Sequence, residues 1–531
     1  MKKNIITSSL LLLLIFTLHG QGFNRVYRLD SNVAYGILSA VPTDTAIYVK
    51  AMTNINQNGV WFAGGNFAKF NINGDLVASK LHGDTNNTFL LPYNNLKKVN
   101  DTTFYCTGHQ NTAFSIGASI VFIAEFNERG DTIWYKEFNG IEYNSSYLFT
   151  TDCVRDASGN FYVFVNRYST RTLDDNDFFI VKVNRRGERI WYRYFNDVGF
   201  DIHGSKISFD NQGYLWAKAM KFKDYITDWT HKAIGVTFRL DTAGNILNRF
   251  ETDTSQLNTT VMTVLRNGDY LLHGDIKIQY AYSSDGGVTF EPNPRYHQHG
   301  YVARYNQQGQ LMWEHTIRRN GTLVQAAVEN PDGSIVVAGN TRDSLPGSEY
   351  GNNISGLLVK YTANGDSLWA RMYQGLPHLD DVKGFFSSIH RLFNGGYILG
   401  GNCDDFIQRR STAGIWGWLV RTDSFGCVQR NCQLTNLSPP PPQYNVPVSV
   451  FPNPAQGRVT FAWQSQLPPF GGIEGGLILF DVSGKAVLQQ QILGGSTETS
   501  IDVSTLPNSM YLYKIQFDNG AQAVGKLVVA K

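Results

Sequence analysis

A hairpin that returns seven times at a nearly constant spacing constrains this chain more than any other feature. Its clearest copies are Phe122 to Phe138 (FIAEFNERGDTIWYKEF), Phe179 to Phe195 (FIVKVNRRGERIWYRYF), Tyr301 to Ile317 (YVARYNQQGQLMWEHTI) and Leu357 to Tyr373 (LLVKYTANGDSLWARMY). Weaker copies run from Phe67 to Leu81, Val236 to Asp253 and Trp418 to Cys432. The turn glycines Gly74, Gly130, Gly187, Gly244, Gly309, Gly365 and Gly426 fall at intervals of 56, 57, 57, 65, 56 and 61 residues. A period of this length marks a supersecondary unit that buries its faces only by stacking on its neighbours.

The flanks of each turn alternate apolar and polar, as in Ile180-Val181-Lys182-Val183, which is the period of a pleated strand. Three residues before the glycine stands Asn127, Asn184 or Asp241, whose side chain can bond the backbone at the start of a turn. The glycine then supplies the positive φ that a type I turn closed by a bulge requires. Thr362 takes the Asn or Asp place in one copy. A second hairpin precedes the first kind, turning at Asp156 to Gly159, Asp210 to Gly213, Arg266 to Gly268, Asn330 to Gly333 and Asn394 to Gly396. Two hairpins make four antiparallel strands, and seven such units predict an all-β chain whose body, residues 23–435, is a seven-bladed β-propeller. Six or eight blades are the competing counts, because the first unit is irregular from Asn54 to Gly59.

Trp134, Trp191, Trp313 and Trp369 each follow their turn glycine by four residues. They are expected to anchor blade against blade, a binding stripe being the alternative. The seventh unit shows only three strands, at Ile389 to Leu392, Tyr397 to Gly400 and Trp418 to Arg421. The missing fourth has a candidate far away in sequence, Asn24 to Leu29, which should pair antiparallel beside Trp418 and close the ring.

Residues 1–22 read as a cleavable signal peptide. Lys2 and Lys3 give a positive start, Leu10 to Leu18 an apolar run, and Gly20-Gln21-Gly22 a cleavage pattern of small residues. The run is about half the length that spans a bilayer, so a retained anchor is the weaker reading, and no later segment is expected to span one. Without the leader the chain holds 44 basic and 44 acidic residues, so no nucleic-acid partner is expected. Of five cysteines, Cys427 and Cys432 lie close enough in sequence for a local disulfide in an oxidising compartment.

The repeat breaks at Asn436 to Val446 (NLSPPPPQYNV), where consecutive prolines predict an extended linker, residues 436–446. Residues 447–531 then predict a small β-sandwich, from Val448 to Phe461 (VSVFPNPAQGRVTF) through Leu477 to Leu488 (LILFDVSGKAVL) to Gly525 to Lys531 (GKLVVAK). These last residues resemble, in matching order, the type A C-terminal sorting domain of the type IX secretion system found in Bacteroidota. The matching positions are Phe451, Pro452, Asn453, Pro454, Gly457, Gly484, Lys485 and Lys526. Ser509 departs from the family's glycine before Met510-Tyr511, which puts a local turn in question. The resemblance implies export through the periplasm, recognition by the outer-membrane machinery and delivery to the cell surface or the medium. An ordinary adhesion-type sandwich is the alternative.

Catalytic motifs are weak. Ser283 to Phe290 (SSDGGVTF) matches an Asp-box, which resembles a structural hairpin of sialidases and other propellers. His297 and His299 lack a third metal ligand, and Asp174-Asp175-Asn176-Asp177 lacks the glycine and distal glutamate of an EF-hand loop. No cofactor, metal or catalytic residue is expected, and a quinone-dependent dehydrogenase fits poorly because the tryptophan sits elsewhere in each repeat. The expectation is a non-enzymatic surface module binding an unknown protein or glycan. The alternative is a secreted hydrolase with catalytic residues spread over the propeller loops.

Overall fold

The computed structural model describes residues 22–531 except 28–33, 58–59, 83–86, 92–94, 113–118, 139–145, 170–176, 198, 223–233, 254–256, 281–294, 320, 343–353, 376–381, 406–414, 430–447, 464–474, 483–485, 493–496 and 518–521. The signal peptide but for Gly22, the proline-rich linker, the Asp-box, Asp174 to Asn176, Cys432, Gly484 and Lys485 therefore lie outside the described residues, as does the side chain of His297. The chain divides into two compact units, Met1–Arg430 and Asn431–Lys531.

The first unit is a ring of seven antiparallel sheets, sequential meanders in all but the last. Blade 1 begins with Ala34–Pro42 and ends with Leu76–His82; blade 3 runs from Ser146–Arg155 to Arg189–Phe195, and blade 4 from Asp201–Phe209 to Ile246–Asp253. Blade 5 opens on Leu257–Val264, and blade 6 on Leu323–Glu329. In blade 2 the first strand is broken in two, Asn87–Leu90 and Lys97–Asn100, both paired with Thr103–Thr112. A single parallel bridge, Ile354 to Lys383, joins blades 6 and 7 at one end.

Blade 7 holds Val382–Arg391, Tyr397–Asp405 and Ile415–Thr422, and its fourth strand is Phe23–Tyr27. The register is antiparallel, with Phe23 opposite Arg421, Arg25 opposite Leu419, Val26 opposite Trp418 and Tyr27 opposite Gly417. The closure expected from the sequence is thus present, and the ring has seven blades. Phe23 joins one core cluster with Ile37, Ile47 and Phe70 of blade 1 and with Ile398 and Leu419 of blade 7.

The repeated turn works as its residues require. In blade 2 the Asn127 N–H donates to the Asp131 carbonyl at 2.9 Å and the Gly130 N–H to the Asn127 carbonyl at 3.0 Å. The Asn127 side-chain oxygen accepts from the N–H groups of Arg129 and Asp131, both at 2.9 Å. Thr362 does the same with its hydroxyl, accepting from Asp366 N at 3.0 Å.

The tryptophans pack blade on blade by a rule that repeats around the ring. Each lies over the turn glycine of the following blade: a Cβ added to Gly244 would sit 2.9 Å from the Trp191 ring, one on Gly365 2.9 Å from Trp313, and one on Gly426 3.0 Å from Trp369. These glycines need a positive φ and must also leave room for a neighbour's ring. At the seam the closing strand takes over, with Phe23 and the Tyr27 hydroxyl 2.8 and 2.9 Å from the same point at Gly74.

The second unit is a sandwich of a three-stranded and a four-stranded sheet. Val448–Phe451, Arg458–Trp463 and Glu498–Asp502 face Ala486–Ile492, Gly475–Phe480, Ser509–Phe517 and Gln522–Val529 across a core of Val459, Phe461, Leu477, Leu479, Ile515 and Leu527. Ser509 begins a strand opposite Val529, so the turn that its departure from glycine put in question is extended backbone.

Candidate functional site

In a four-stranded meander, the first and third turns of every blade fall at one end of the ring. The connections between second and third strands fall at the other, together with the crossings to the next blade. The tight glycine turns therefore crowd one end, and the strand ends that the longer connections join, such as Tyr280 and Arg295, lie at the opposite, loop-bearing end. Any ligand chemistry carried by the longer connections belongs to that loop-bearing end.

The first strands line the bore, and they carry an unexpected regularity. Six of them slip register by a bulge: Ile37/Ser39, Thr150/Asp152, Gly204/Lys206, Asn258/Val261, Val324/Ala326 and Phe386/Ser388. The broken strand of blade 2 is the seventh irregularity. Bulges re-aim side chains, and in this ring they turn polar groups onto the next blade. The Ser387 hydroxyl donates to the carbonyls of Ile37 and Leu38 at 3.2 and 3.1 Å, and Ser388 accepts from Ala40 N at 3.1 Å. The Asn166 amide spans the seam between blades 3 and 4, donating to Gly204 O at 2.8 Å and accepting from Gly204 N at 2.6 Å.

Asp152 is the centre of the most highly charged seam. Fully buried, it meets Lys97 of blade 2 at 2.7 Å and Lys206 of blade 4 at 3.1 Å. It also accepts from the N–H groups of Cys153 at 2.9 Å and Ile207 at 3.3 Å. Burial alone would raise its carboxyl, but Lys206 and Lys97 outweigh burial and hold it below the ordinary carboxylate range. Burial pushes Lys206 down despite Asp152, and Lys97 adds to that. His390, further round the wall, is pushed to about 4 by burial and then by Lys206, Lys98 and Lys97, so it is neutral. His273 is pushed to about 4 chiefly by burial and has both ring nitrogens engaged, with Val324 O at 3.4 Å and Thr263 Oγ1 at 3.1 Å. None of these residues is marked in the sequence by a motif; for Asp152, Lys206 and His390 the only signal is a polar letter inside a first strand, and His273 stands on the second strand of blade 5.

At the loop-bearing end of blade 3, Arg167, Asp177 and Tyr194 form one cross-strand group. Arg167 lies 2.6 Å from Asp177 and 2.5 Å from the Tyr194 hydroxyl, which itself donates to Asp177. Among the described residues no three His, Cys, Asp or Glu side chains gather as a metal site. His299 lies on the third strand of blade 5.

In the second unit the sorting-type residues form a clasp. The Asn453 side chain donates to Lys526 O at 3.1 Å and accepts from Val528 N at 2.9 Å, so it stands in for a strand on the open edge of Gln522–Val529. Ala455 continues the pairing, donating to Val528 O at 2.8 Å and accepting from Ala530 N at 3.0 Å. The Gly457 carbonyl accepts from Val503 N at 2.7 Å. Phe451 and Lys526 stay exposed, and both X–Pro bonds, Phe451-Pro452 and Asn453-Pro454, are cis. The motif at the start of the unit and the strand at its end are thus one surface. Asn453→Ala removes both side-chain bonds and should lower the unit's stability by about 2 kcal/mol, read as an earlier urea transition of this unit, with less protein reaching the surface.

Of the cysteines, Cys427 is disulfide-bonded while Cys106, Cys153 and Cys403 are free. Among the described residues no helix is long and apolar enough to cross a membrane.

No curated protein matches the chain. Among solved structures it is similar to the α-L-arabinofuranosidase Arb93A of Fusarium graminearum, at 10% identity and a TM-score of 0.37 over 76% of this chain and 98% of that one. It is also similar to a polysaccharide lyase of family PL25, an ulvan lyase, at 10% identity and a TM-score of 0.41 over 76% and 98% of the two chains. Likenesses this distant say nothing of activity, and the propeller stands on its own sheet order. Residues 449–530 match the family model of the secretion system C-terminal sorting domain. The C-terminal unit is accordingly a type IX C-terminal sorting domain, which consigns the chain to the cell surface or the extracellular space.

Proposed function

We propose that the exported chain is a non-enzymatic binding propeller that engages a protein or glycan through its loop-bearing end. One observation carries this reading: the buried Asp152 of the bore, and His273 on the second strand of blade 5, are already committed to holding blades together. Asp152 is surrounded by four donors, and His273 uses both nitrogens. A general acid or base needs a free valence aimed at substrate. By contrast, the Arg167–Asp177–Tyr194 group presents a half-exposed ring and polar atoms held in place, which suits recognition.

The test is to pass the mature exported protein over arrayed glycans and extracellular proteins while assaying the same glycans for released products. Saturable retention without product, weakened by Tyr194→Ala, is expected. Release of reducing or unsaturated ends would overturn the reading in favour of a hydrolase or lyase.

In this reading residues 1–22 are removed as a leader, the propeller extends to residue 435, residues 436–446 link it to the sorting domain, and Phe451 to Pro454, Gly457, Gly484, Lys485 and Lys526 are what the outer-membrane machinery engages. Cys427 takes Cys432 as its disulfide partner. Mass mapping of a non-reduced digest should give one linked peptide carrying both; a free thiol at Cys432 in exported protein would contradict it.

A further inference from the structure

Lys50 and Cys106 face each other across the seam between blades 1 and 2. Lys50 lies on Ala46–Gln57 and Cys106 on Thr103–Thr112, the second strands of their blades. They are 4% and 1% exposed, so neither reaches bulk water. The Lys50 Nζ is 2.8 Å from the Cys106 Sγ. Nitrogen to oxygen hydrogen bonds are commonest at about 2.9–3.0 Å, and sulfur is the larger atom, so this contact is closer than an amine normally approaches a thiol. The chain's contact between Cys153 Sγ and Asn95 Oδ1 is an ordinary 3.8 Å by comparison.

The Lys50 amine has apolar surroundings. No carboxylate among the described residues forms an ion pair with Lys50; its other neighbour is the face of Phe126, 4.7 Å from ring centroid to Nζ. His82, edge-on to Phe126 at 4.9 Å, is pushed to about 4 by burial first and then by Lys50 and Lys80, so it is neutral and offers no counter-charge. A buried cation with only a ring and a thiol beside it bears a large desolvation cost. Conversion to an uncharged nitrogen would relieve that cost. Cys106 has no disulfide to form, and the protein matures outside the cytoplasm, where thiols meet oxidant.

We propose that Lys50 and Cys106 are joined through a single oxygen atom, an N–O–S bridge that covalently ties blade 1 to blade 2 after export. Dioxygen is the oxidant. The neutral amine and the thiol give up two N–H or S–H hydrogens in total, one from each atom, and two electron pairs, one from nitrogen and one from sulfur. One oxygen atom ends between nitrogen and sulfur, and the other leaves as water with those two hydrogens. The remaining N–H stays on a weakly basic nitrogen, so the seam loses its buried charge. The Phe23 strand packs the first blade's other seam, and blade 1 is then held on both sides.

The test uses the full-length exported protein, purified in air without reductant, denatured, alkylated and digested. The Lys50 and Cys106 peptides should appear as one species heavier than their sum by one oxygen and lighter by two hydrogens. The Cys106 thiol signal should be lost, and should return when dithiothreitol splits the bridge. Protein exported and purified without dioxygen, and the variants Lys50→Met and Cys106→Ser, should lack the linked species. Full alkylation of Cys106 in the aerobic, non-reduced protein would overturn the proposal, as would a sulfinic acid at Cys106 beside an unmodified Lys50. Both readings come from the natural sequence, so they do not depend on either variant folding.

Discussion

Removing Phe23 to Tyr27 opens the ring and lowers the stability of the propeller by on the order of 5 kcal/mol. The strand supplies a five-residue antiparallel ladder to Ile415–Thr422, and its side chains add contacts to three blades. Asn24 accepts from the buried Trp418 indole at 2.6 Å and donates to Gln374 O at 2.8 Å. The Tyr27 hydroxyl donates to Gly74 O at 2.5 Å. Arg25 meets Asp75 at 2.6 Å, but both are well exposed and the pair adds little. Most of the loss comes from Phe23, whose ring is 7% exposed within a core shared by the first and last blades. The truncated protein also presents a bare outer edge with Trp418 in it, so it should aggregate as well as unfold earlier. Equal urea midpoints and equal solubility for the two proteins would show that the strand is dispensable.

Lys218→Met should do the opposite and stabilise the protein by a few kcal/mol at pH 7. Lys218 lies on the second strand of blade 4, has Lys206 and Thr237 as register partners, and is fully buried. Its ammonium nitrogen has no hydrogen-bond partner among the described residues, and burial pushes it down to about 7. In the unfolded chain the same amine titrates at about 10.4. Between those values unfolding takes up a proton, so stability rises with pH from about 7 to about 10. Below that window both states are protonated and the burden is complete. Methionine of similar length removes the charge and keeps the packing. The check is urea unfolding across pH 7 to 10 for both proteins: the natural chain should gain stability along the series and Lys218→Met should not. A variant less stable than the parent would mean that Lys218 holds a partner inside the seam.

Much of this fold could be read from the letters, and the reasons are local. The turn residues are obligatory where φ must be positive, so Gly187 or Gly244 announces a hairpin wherever it stands. Trp191 is legible as a packing anchor because it repeats at a fixed distance from that glycine. The closing strand was legible for a different reason: blade 7 lacked a strand, and an alternating segment at the far end of the chain had no partner. The bulges of the bore were not legible. Thr150-Thr151, Gly204-Ser205 and Ser387-Ser388 are small residues that tolerate either register, so one extra residue leaves no mark on the alternation. The broken strand of blade 2 had a faint signal in Pro92, which cannot donate to a ladder. Lys50, Asp152, Lys206 and Lys218 were missed because a charged residue in a strand normally marks the solvent face. Only the structure shows that these point into seams. In the sorting domain the motif residues were read from resemblance, and the reason Asn453 belongs there, its clasp on the final strand, came with the geometry.

The C-terminal unit is the part that consigns the propeller to the outside. Cells expressing the full chain and a chain lacking Val448 to Lys531 should be fractionated into periplasm, outer surface and medium, and each fraction probed for the propeller. The full chain should be found at the surface or in the medium, and the truncated chain should be retained in the periplasm as folded propeller. Equal amounts of both proteins outside the cell would contradict the account.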